Sequence, residues 1–263
     1  MTPDAAERRT ILLTVAYDGG LFSGWAIQSN ARTVAGELLG AIREIDPTVR
    51  EVRGASRTDA GVHARGQLAA FDTVKPIPPK GWALGLAAHL PEQIGIRGAA
   101  FAPLGCQPRH EAVRKHYRYY VLRDPLRDPF WAGRAWRLSH PLDVDLARRE
   151  AEALVGTHDF RAFRAAGDER VDTVRSIESV TLTELADDPR VLVIDVVGNA
   201  FLYNMVRIIA GTLVDVARGR LEKGAVLRAL ASKRRDDLGM TAPAHGLVLV
   251  AIDHRIPLED AYP

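Results

Sequence analysis

Strand-like and helix-like segments alternate along this chain, and this alternation constrains the fold more than any other feature of the sequence. Runs of β-branched and aromatic residues, which are typical of strands, occupy residues 10–17, 49–55, 67–72, 114–122, 190–197 and 247–254. Apolar residues at helical spacing, with capping or stop signals at the ends (Thr33 caps the first), occupy residues 34–45, 80–90, 144–155, 201–218 and 221–231. Short strands interleaved with helices predict an α+β fold, in which helices cover one face of an antiparallel sheet.

The predicted elements form two groups, and strands and helices alternate in the same way in each. A chain of 263 residues is long enough for two moderate cores. We therefore expect two similar halves, residues 8–105 and residues 106–263, each a mostly antiparallel sheet covered by helices. The halves are expected to form a central sheet, with a cleft between them as the usual place for an active site.

Composition excludes several classes of protein. The single cysteine, Cys106, excludes an internal disulfide and a multi-cysteine zinc site, and the histidines at 63, 110, 158 and 245 are not spaced as metal ligands. The first ten residues are polar, unlike a signal peptide, and no run approaches the ~18 apolar residues of a membrane helix. No glycine loop of the nucleotide-binding type is present. We expect a cytoplasmic protein with no membrane segment and no metal or nucleotide cofactor.

The formal net charge of +2 conceals an uneven distribution of charge. Residues 105–150 carry ten Lys or Arg against six Asp or Glu, and residues 203–239 carry eight against four. Residues 151–202 compensate, with five basic against ten acidic side chains. Two basic regions on a nearly neutral chain indicate a local surface for a polyanion. The alternative is that these regions are solvated helix faces that happen to be rich in arginine.

A polar stretch, RTDAGVH at residues 57–63, lies between two strand-like runs. A polar loop held between strands is where a rigid scaffold usually presents reactive groups, and Asp59 supplies a carboxylate there. The alternative is a surface turn in which Asp59 accepts backbone hydrogen bonds and Gly61 takes a positive φ. The local sequence by itself favours that turn.

The predicted strand RKHYRYYVL, residues 114–122, mixes aromatic and cationic side chains on each of its faces. Tyr117 shares a face with Lys115, a combination suited to bases and phosphates together. The alternative is that the tyrosines of this strand, Tyr119 and Tyr120 in particular, pack under a helix.

Arg207 lies beside the apolar stripe of the helix predicted for residues 201–218. A cation in such a position is costly unless it is paired, and Asp59 is a candidate partner that an arginine would keep ionised. The alternative is that Arg207 lies at the edge of the stripe and extends to water. Further along, the small residues of TAPAHGL at 241–247 permit close approach of a ligand, or simply of backbone.

Taken together, five motifs resemble those of the tRNA pseudouridine synthase A family. They are RTDAGVHARGQ (57–67), KHYRYYVL (115–122), GTHDFRAFR (156–164), GNAFLYNMVRIIAGTL (198–213) and TAPAHGLVL (241–249), in order along the chain. RTDAGVH and NMVRIIAGT are highly specific signals, and the similarity extends over nearly the whole chain. The resemblance implies a cofactor-free isomerase that converts uridine to pseudouridine at positions 38, 39 and 40 in the anticodon stem-loop of tRNA. It also implies a homodimer in which one tRNA contacts both subunits.

The resemblance assigns roles by motif. Asp59 matches the catalytic aspartate, which could attack the ribose C1′ or the uracil C6, or act as a base at C2′. By the same resemblance, further residues match substrate-binding positions. Arg57 supports the flipped-out base, and Tyr117 packs on the target uracil. Arg207 pairs with the aspartate, and Leu247 or Leu249 lines the base pocket.

One departure from the family pattern bears on the substrate. An aromatic-rich segment ahead of the tyrosine strand appears here as CQPRHEA, residues 106–112, which keep Arg109 but lack two aromatics and a serine. Two alternatives therefore stay open. One is a related pseudouridine synthase that acts on another RNA or on a smaller uridine-containing substrate. The other is an RNA-binding protein without catalysis.

Overall fold

The computed structural model of this chain describes residues 7–168 and 170–262, and it is built of alternating strands and helices. Their bounds are β1 Arg9–Tyr17, α1 Val34–Ile45, β2 Arg53–Gly54, β3 His63–Thr73, α2 Pro79–His89, β4 Ile94–Ala102, α3 Pro108–Glu111, β5 Ala112–Arg123, β6 Trp136–Leu138, α4 Val144–Glu152, β7 Gly156–Asp159, β8 Val174–Leu185, β9 Asp188–Gly198, α5 Met205–Ala217, α6 Ala225–Ser232, β10 Leu247–His254 and β11 Glu259–Tyr262. The predicted α+β class is confirmed. Within the described residues, no helix combines the length and the apolar character that crossing a membrane requires.

The chain divides into two compact units. The first runs to Val113 and includes the residues from Leu249 onward, and the second spans Arg114–Val248. This grouping places residues 106–113 and the C-terminal residues with the first unit, whereas the sequence division after residue 105 assigned them to the second half. The reason is pairing: β11 is antiparallel to β4, and the amide of Arg255 donates to the carbonyl of Glu111 at 3.0 Å.

The first unit contains an antiparallel sheet with the strand order β11–β4–β1–β3, and β2 also pairs with β3. α1 begins at the predicted cap, because the Thr33 hydroxyl accepts a hydrogen bond from the Gly36 amide at 3.3 Å. α2 packs on β4 and on α1. Phe71 of β3 meets Trp82 of α2 edge to face, with ring centroids 4.9 Å apart, at the centre of this core.

The second unit contains an antiparallel sheet with the strand order β5–β9–β8–β7, and β6 runs parallel to β5. Tyr117 of β5 pairs in register with Val196 of β9. α4 packs on β8 and on α5. Four residues of the predicted stripe, Met205, Ile208, Thr212 and Val216, are fully buried, but Phe201 precedes α5 and is only partly buried. Burial extends around α5, with Arg207 its one partly exposed residue.

The strand predicted for residues 49–55 is wrong except at its end. Arg53 and Gly54 pair with β3, and the Ala55 amide donates to the Leu68 carbonyl at 2.9 Å. The Arg43 side chain donates to the carbonyls of Val49 and Arg50, at 2.9 and 3.2 Å, and so ties the preceding stretch to the last turn of α1. Those carbonyls are therefore engaged by a helix side chain instead of a neighbouring strand.

Three helix boundaries also differ from those predicted. α4 ends at Glu152 instead of residue 155, α5 begins at Met205 instead of residue 201, and α6 begins at Ala225 instead of residue 221. The start of α6 is set from outside the helix, because the Glu150 carboxylate accepts hydrogen bonds from the amides of Gly224 and Val226. The start of α5 follows a left-handed residue, Asn204, with φ of 59°.

Candidate active site

The loop of residues 57–62, here called the aspartate loop, connects β2 to β3 in the first unit. Arg57 is exposed and Asp59 is partly exposed, whereas Thr58 and Val62 are buried. Gly61 has φ of 78°, which confirms the positive φ predicted for it. The loop is therefore anchored through two side chains, and it leaves the Arg57 and Asp59 side chains accessible.

Residues 18–25 run against the aspartate loop and form what we call the glycine cradle. The Trp25 amide donates to the Thr58 carbonyl at 3.0 Å, and the Gly61 amide donates to the Phe22 carbonyl at 3.3 Å. These bonds join two loops that are far apart in sequence. Their backbone groups are thereby satisfied without a regular sheet ladder.

Two glycines make this contact possible. A Cβ at Gly19 would lie 2.0 Å from the Val62 carbonyl oxygen, and a Cβ at Gly24 would lie 2.7 Å from the Thr58 carbonyl oxygen. Gly24 also has φ of 93°, a conformation that other residues rarely adopt. Any side chain at either position would push the glycine cradle away from the aspartate loop.

Buried polar side chains hold the N-terminal end of the loop. The Tyr17 phenol and the Thr58 hydroxyl are hydrogen-bonded at 2.7 Å. The fully buried Gln67 side chain accepts from the Ser56 amide at 3.1 Å and donates to the Ser56 carbonyl at 2.5 Å. The backbone immediately before Arg57 is thus fixed by one side chain.

His63 follows the aspartate loop and joins it to the glycine cradle. Its Nδ1 accepts a hydrogen bond from the Gly19 amide at 3.0 Å, and the Asp18 carboxylate lies 3.1 Å from the same nitrogen. His63 therefore has a structural contact that accounts for its place in the motif.

Tyr117 lies on β5 in the second unit and is only 7% exposed. Phe201 meets its ring edge to face, with centroids 5.2 Å apart. The other two tyrosines are buried by packing. Tyr119 donates to the Pro243 carbonyl at 2.8 Å, and burial raises its pKa, whereas Tyr120 packs against Trp131 in a hydrophobic cluster.

Arg207 lies in the first turn of α5 and is partly buried. Its Nε donates to the Ala242 carbonyl at 2.8 Å, and a terminal nitrogen donates to the Asn204 side chain at 2.7 Å. The Ala242 amide returns a hydrogen bond to the Arg207 carbonyl at 3.1 Å. The guanidinium is thus fixed in direction within its own unit, and its pairing with Asp59 stays a prediction.

Leu247 and Leu249 are both buried at the start of β10. The small residues before them allow close packing of backbone, since a Cβ at Gly246 would lie 2.6 Å from the ring of Tyr119. This is one of the two explanations offered for the composition of residues 241–247. The lining of a base pocket by either leucine stays a prediction.

The sequence arguments missed several residues that support the site. Tyr17 and Gln67 hold the aspartate loop, and Asn204 and Ala242 hold Arg207. Gln67 lies within the RTDAGVHARGQ motif, so its position was a usable signal. Nothing in the sequence marks the Ala242 carbonyl, because backbone acceptors leave no trace in residue type. Across residues 7–168 and 170–262, no group of three or more His, Cys, Asp or Glu is arranged to hold a metal ion.

Comparison with known proteins identifies the class. A family described as tRNA pseudouridine synthase matches residues 151–254. The tRNA pseudouridine synthase A of Geobacter sp. (strain M21) is 44% identical, over 93% of this chain and 98% of its own length. That of Bacillus subtilis (strain 168) is 42% identical, over 90% of this chain and 95% of its own length. The protein is thus an isomerase of the pseudouridine synthase class. Within that class, the chain belongs to the tRNA pseudouridine synthase A family.

Proposed function

We propose that this protein isomerises uridine to pseudouridine in the anticodon stem-loop of tRNAs, at positions 38, 39 and 40, with Asp59 as the catalytic carboxylate. The observation that carries the proposal is the construction of the aspartate loop. Glycines at 19 and 24 and the buried Gln67 fix its backbone, yet Asp59 itself stays partly exposed. A carboxylate that is accessible on a rigid support is what covalent or general-base chemistry requires.

The reaction needs one carboxylate and a uracil that is held in place. The bond between C1′ and N1 of uridine breaks, the uracil turns, and C1′ bonds to C5, which loses its proton while N1 gains one. Asp59 would act as nucleophile at C1′ or C6, or as base at C2′. Each role needs the ionised carboxylate, which a neighbouring Arg207 would favour.

Tyr117 and Arg207 have supports that suit the roles proposed for them. Phe201 fixes the plane of the Tyr117 ring, and stacking of a base on such a ring is worth about 1–3 kcal/mol. This would offset much of the few kcal/mol that extruding a base from its stack costs. Arg57, which is exposed, would support the position that the base has left, and Leu247 would line the base pocket.

The remaining proposals concern partners. The basic regions at residues 105–150 and 203–239 would hold the tRNA backbone through its phosphates, so binding should weaken as salt rises. We place the protein in the cytoplasm as a homodimer, with one tRNA contacting both subunits. The altered segment 106–112, which contains the short helix α3 with Arg109 exposed, favours another RNA or a smaller uridine-containing substrate as the alternative.

The direct test maps pseudouridine in unmodified tRNA transcripts that carry uridine at 38, 39 or 40. The wild-type protein should form pseudouridine at these positions. Asp59→Asn should lower the single-turnover rate by about 10⁴-fold or more, because the reacting group is lost, while the Kd for tRNA stays within about threefold. Asp187→Asn, which changes an exposed carboxylate in the turn between β8 and β9, is the matched control and should behave as wild type.

The other outcomes separate the alternatives. Product in another RNA, but not at 38–40, would transfer the chemistry to a different substrate. Tight tRNA binding with no pseudouridine in any RNA would support an RNA-binding protein without catalysis. Full turnover by Asp59→Asn would remove Asp59 from the mechanism.

A further inference from the structure

Asp168 is an acidic residue with an unusually complete set of partners for a loop position. Its side chain is 3% exposed, and Arg170 donates to both carboxylate oxygens, at 2.8 and 2.7 Å. The amides of Arg170 and Tyr203 donate to the same carboxylate at 3.2 and 3.0 Å. Burial raises the pKa of Asp168, but these hydrogen bonds lower it by more, so the net pKa is about 2.

The same loop contacts the segment of residues 199–204, which we call the lead-in segment because it precedes α5. Arg170 donates to the Phe201 carbonyl at 3.2 Å, and the Ala165 amide donates to the Tyr203 carbonyl at 3.1 Å. With the bond from Tyr203 to Asp168, three backbone groups of the lead-in segment are held by this loop. The Phe201 and Tyr203 carbonyls thus accept hydrogen bonds from this loop, and α5 begins only at Met205, after the left-handed Asn204.

The lead-in segment supports two of the substrate-binding side chains proposed for the second unit, Tyr117 and Arg207. Phe201 contacts the Tyr117 ring at 5.2 Å, and Asn204 accepts a hydrogen bond from Arg207 at 2.7 Å. Asn204 has φ of 59°, and a residue in that conformation persists only where its surroundings hold it. Tyr203, which Asp168 binds, lies between Phe201 and Asn204 in the chain.

We propose that Asp168 and Arg170, here called the latch, are positioning residues for the isomerase: they hold the lead-in segment and thereby orient Tyr117 and Arg207. This inference rests on the proposed function. The latch does not touch substrate. Its effect on the reaction passes through Phe201 and Asn204, where a displacement well below 1 Å would tilt the ring or turn the guanidinium.

The test uses Asp168→Asn, which keeps the shape of the side chain but removes its charge and one acceptor. Single-turnover pseudouridine formation at saturating tRNA should slow by about tenfold or more, while the Kd for tRNA changes by less than about threefold. Hydrogen exchange at the Tyr203 amide should quicken by about tenfold or more, because its acceptor is weakened. Asp172→Asn is the matched control, since Asp172 lies in the same loop with its side chain 79% exposed, and it should leave both quantities unchanged.

Arg170→Gln is the second variant. Its side chain is 40% exposed and glutamine can still donate to the Asp168 carboxylate, so the variant should fold and should reproduce both effects. Faster Tyr203 exchange with wild-type turnover would overturn the proposal, because the latch would then be a local contact only. Unchanged exchange would overturn it as well. Absence of pseudouridine with the wild-type protein would instead refute the proposed function. That result is distinct from the two outcomes that would overturn the role of the latch.

Discussion

The aspartate loop carries the proposed catalytic carboxylate, and the lead-in segment supports two of the proposed substrate-binding side chains. The two are held by different kinds of interaction. The aspartate loop is fixed mainly by backbone hydrogen bonds, glycine contacts and the neutral side chains of Tyr17 and Gln67. The lead-in segment is fixed by a charged pair, Asp168 and Arg170, that binds its backbone. The first arrangement depends on close fit, and the second depends on charge.

This difference has a consequence for how each region should fail. Close fit is broken by added volume or by a lost buried partner, and it is nearly indifferent to pH and salt. A charged pair is weakened by protonation of its acid, whatever the packing around it. Substitutions and pH should therefore separate the two regions.

The largest effect is expected for Gly19→Ala. The new Cβ would lie 2.0 Å from the Val62 carbonyl oxygen, so the glycine cradle and the aspartate loop must move apart. We expect a loss of about 2–4 kcal/mol in the free energy of unfolding and at least about a 100-fold slower turnover. Urea unfolding and single-turnover assays measure both quantities.

Gly40→Ala is the control for that substitution, because a Cβ there meets nothing within 4 Å. Alanine is the better helix former, so this variant should gain about 0.5–1 kcal/mol and keep full activity. A Gly19→Ala protein with wild-type stability and turnover would show that the aspartate loop tolerates a loose fit.

A smaller effect is expected for Gln67→Leu. The substitution keeps the volume of the side chain but removes the hydrogen bonds to the amide and carbonyl of Ser56. We expect a loss of about 2–3 kcal/mol, measured by urea unfolding, because two backbone groups lose a buried partner. Gln28→Leu changes an exposed glutamine and should cost less than about 0.5 kcal/mol. Equal losses for both variants would contradict the role given to Gln67.

Acid should loosen the lead-in segment before the aspartate loop. The folded-state pKa of Asp168, about 2, is lowered from 3.8, so its contribution to stability is present above pH 4 and is lost as the pH falls toward 2. We expect about 1–2 kcal/mol of protection at the Tyr203 amide to vanish over that range, while the Gly61 amide, which bonds to a carbonyl, changes little. Hydrogen exchange between pH 4 and pH 2 measures both, and Asp168→Asn should abolish the difference. Parallel loss at both amides would mean that acid unfolds the chain as a whole.

The smallest effect is expected for Tyr17→Phe, which removes the hydrogen bond to the Thr58 hydroxyl. One neutral hydrogen bond is worth about 1 kcal/mol, and the Thr58 hydroxyl can turn to reduce the loss. Thermal unfolding measures the change, and Tyr203→Phe, at a more exposed ring, is the control with no expected loss. A gain in stability would show that burying the two hydroxyls costs more free energy than their hydrogen bond contributes.

Much of the fold was predictable because it depends on local signals. The Thr33 cap, the strand at residues 247–254 and the buried face of α5 follow from residue type and spacing, and the structure confirms them. The errors fall where groups outside the predicted element determine the backbone. Arg43 engages the stretch before β2, Glu150 sets the start of α6, and α5 begins only after the left-handed Asn204.

The sequence by itself determined the α+β class, the family and the motif around Asp59, because these are carried by residue types in a fixed order. Only the tertiary structure decided how the aspartate loop is supported and where α5 begins. The reason is physical: close approach at Gly19 and the bonds between Asp168 and Tyr203 join residues more than 30 positions apart, with backbone as one partner. A backbone group is the same at every position, so its partner is visible only once the chain has folded.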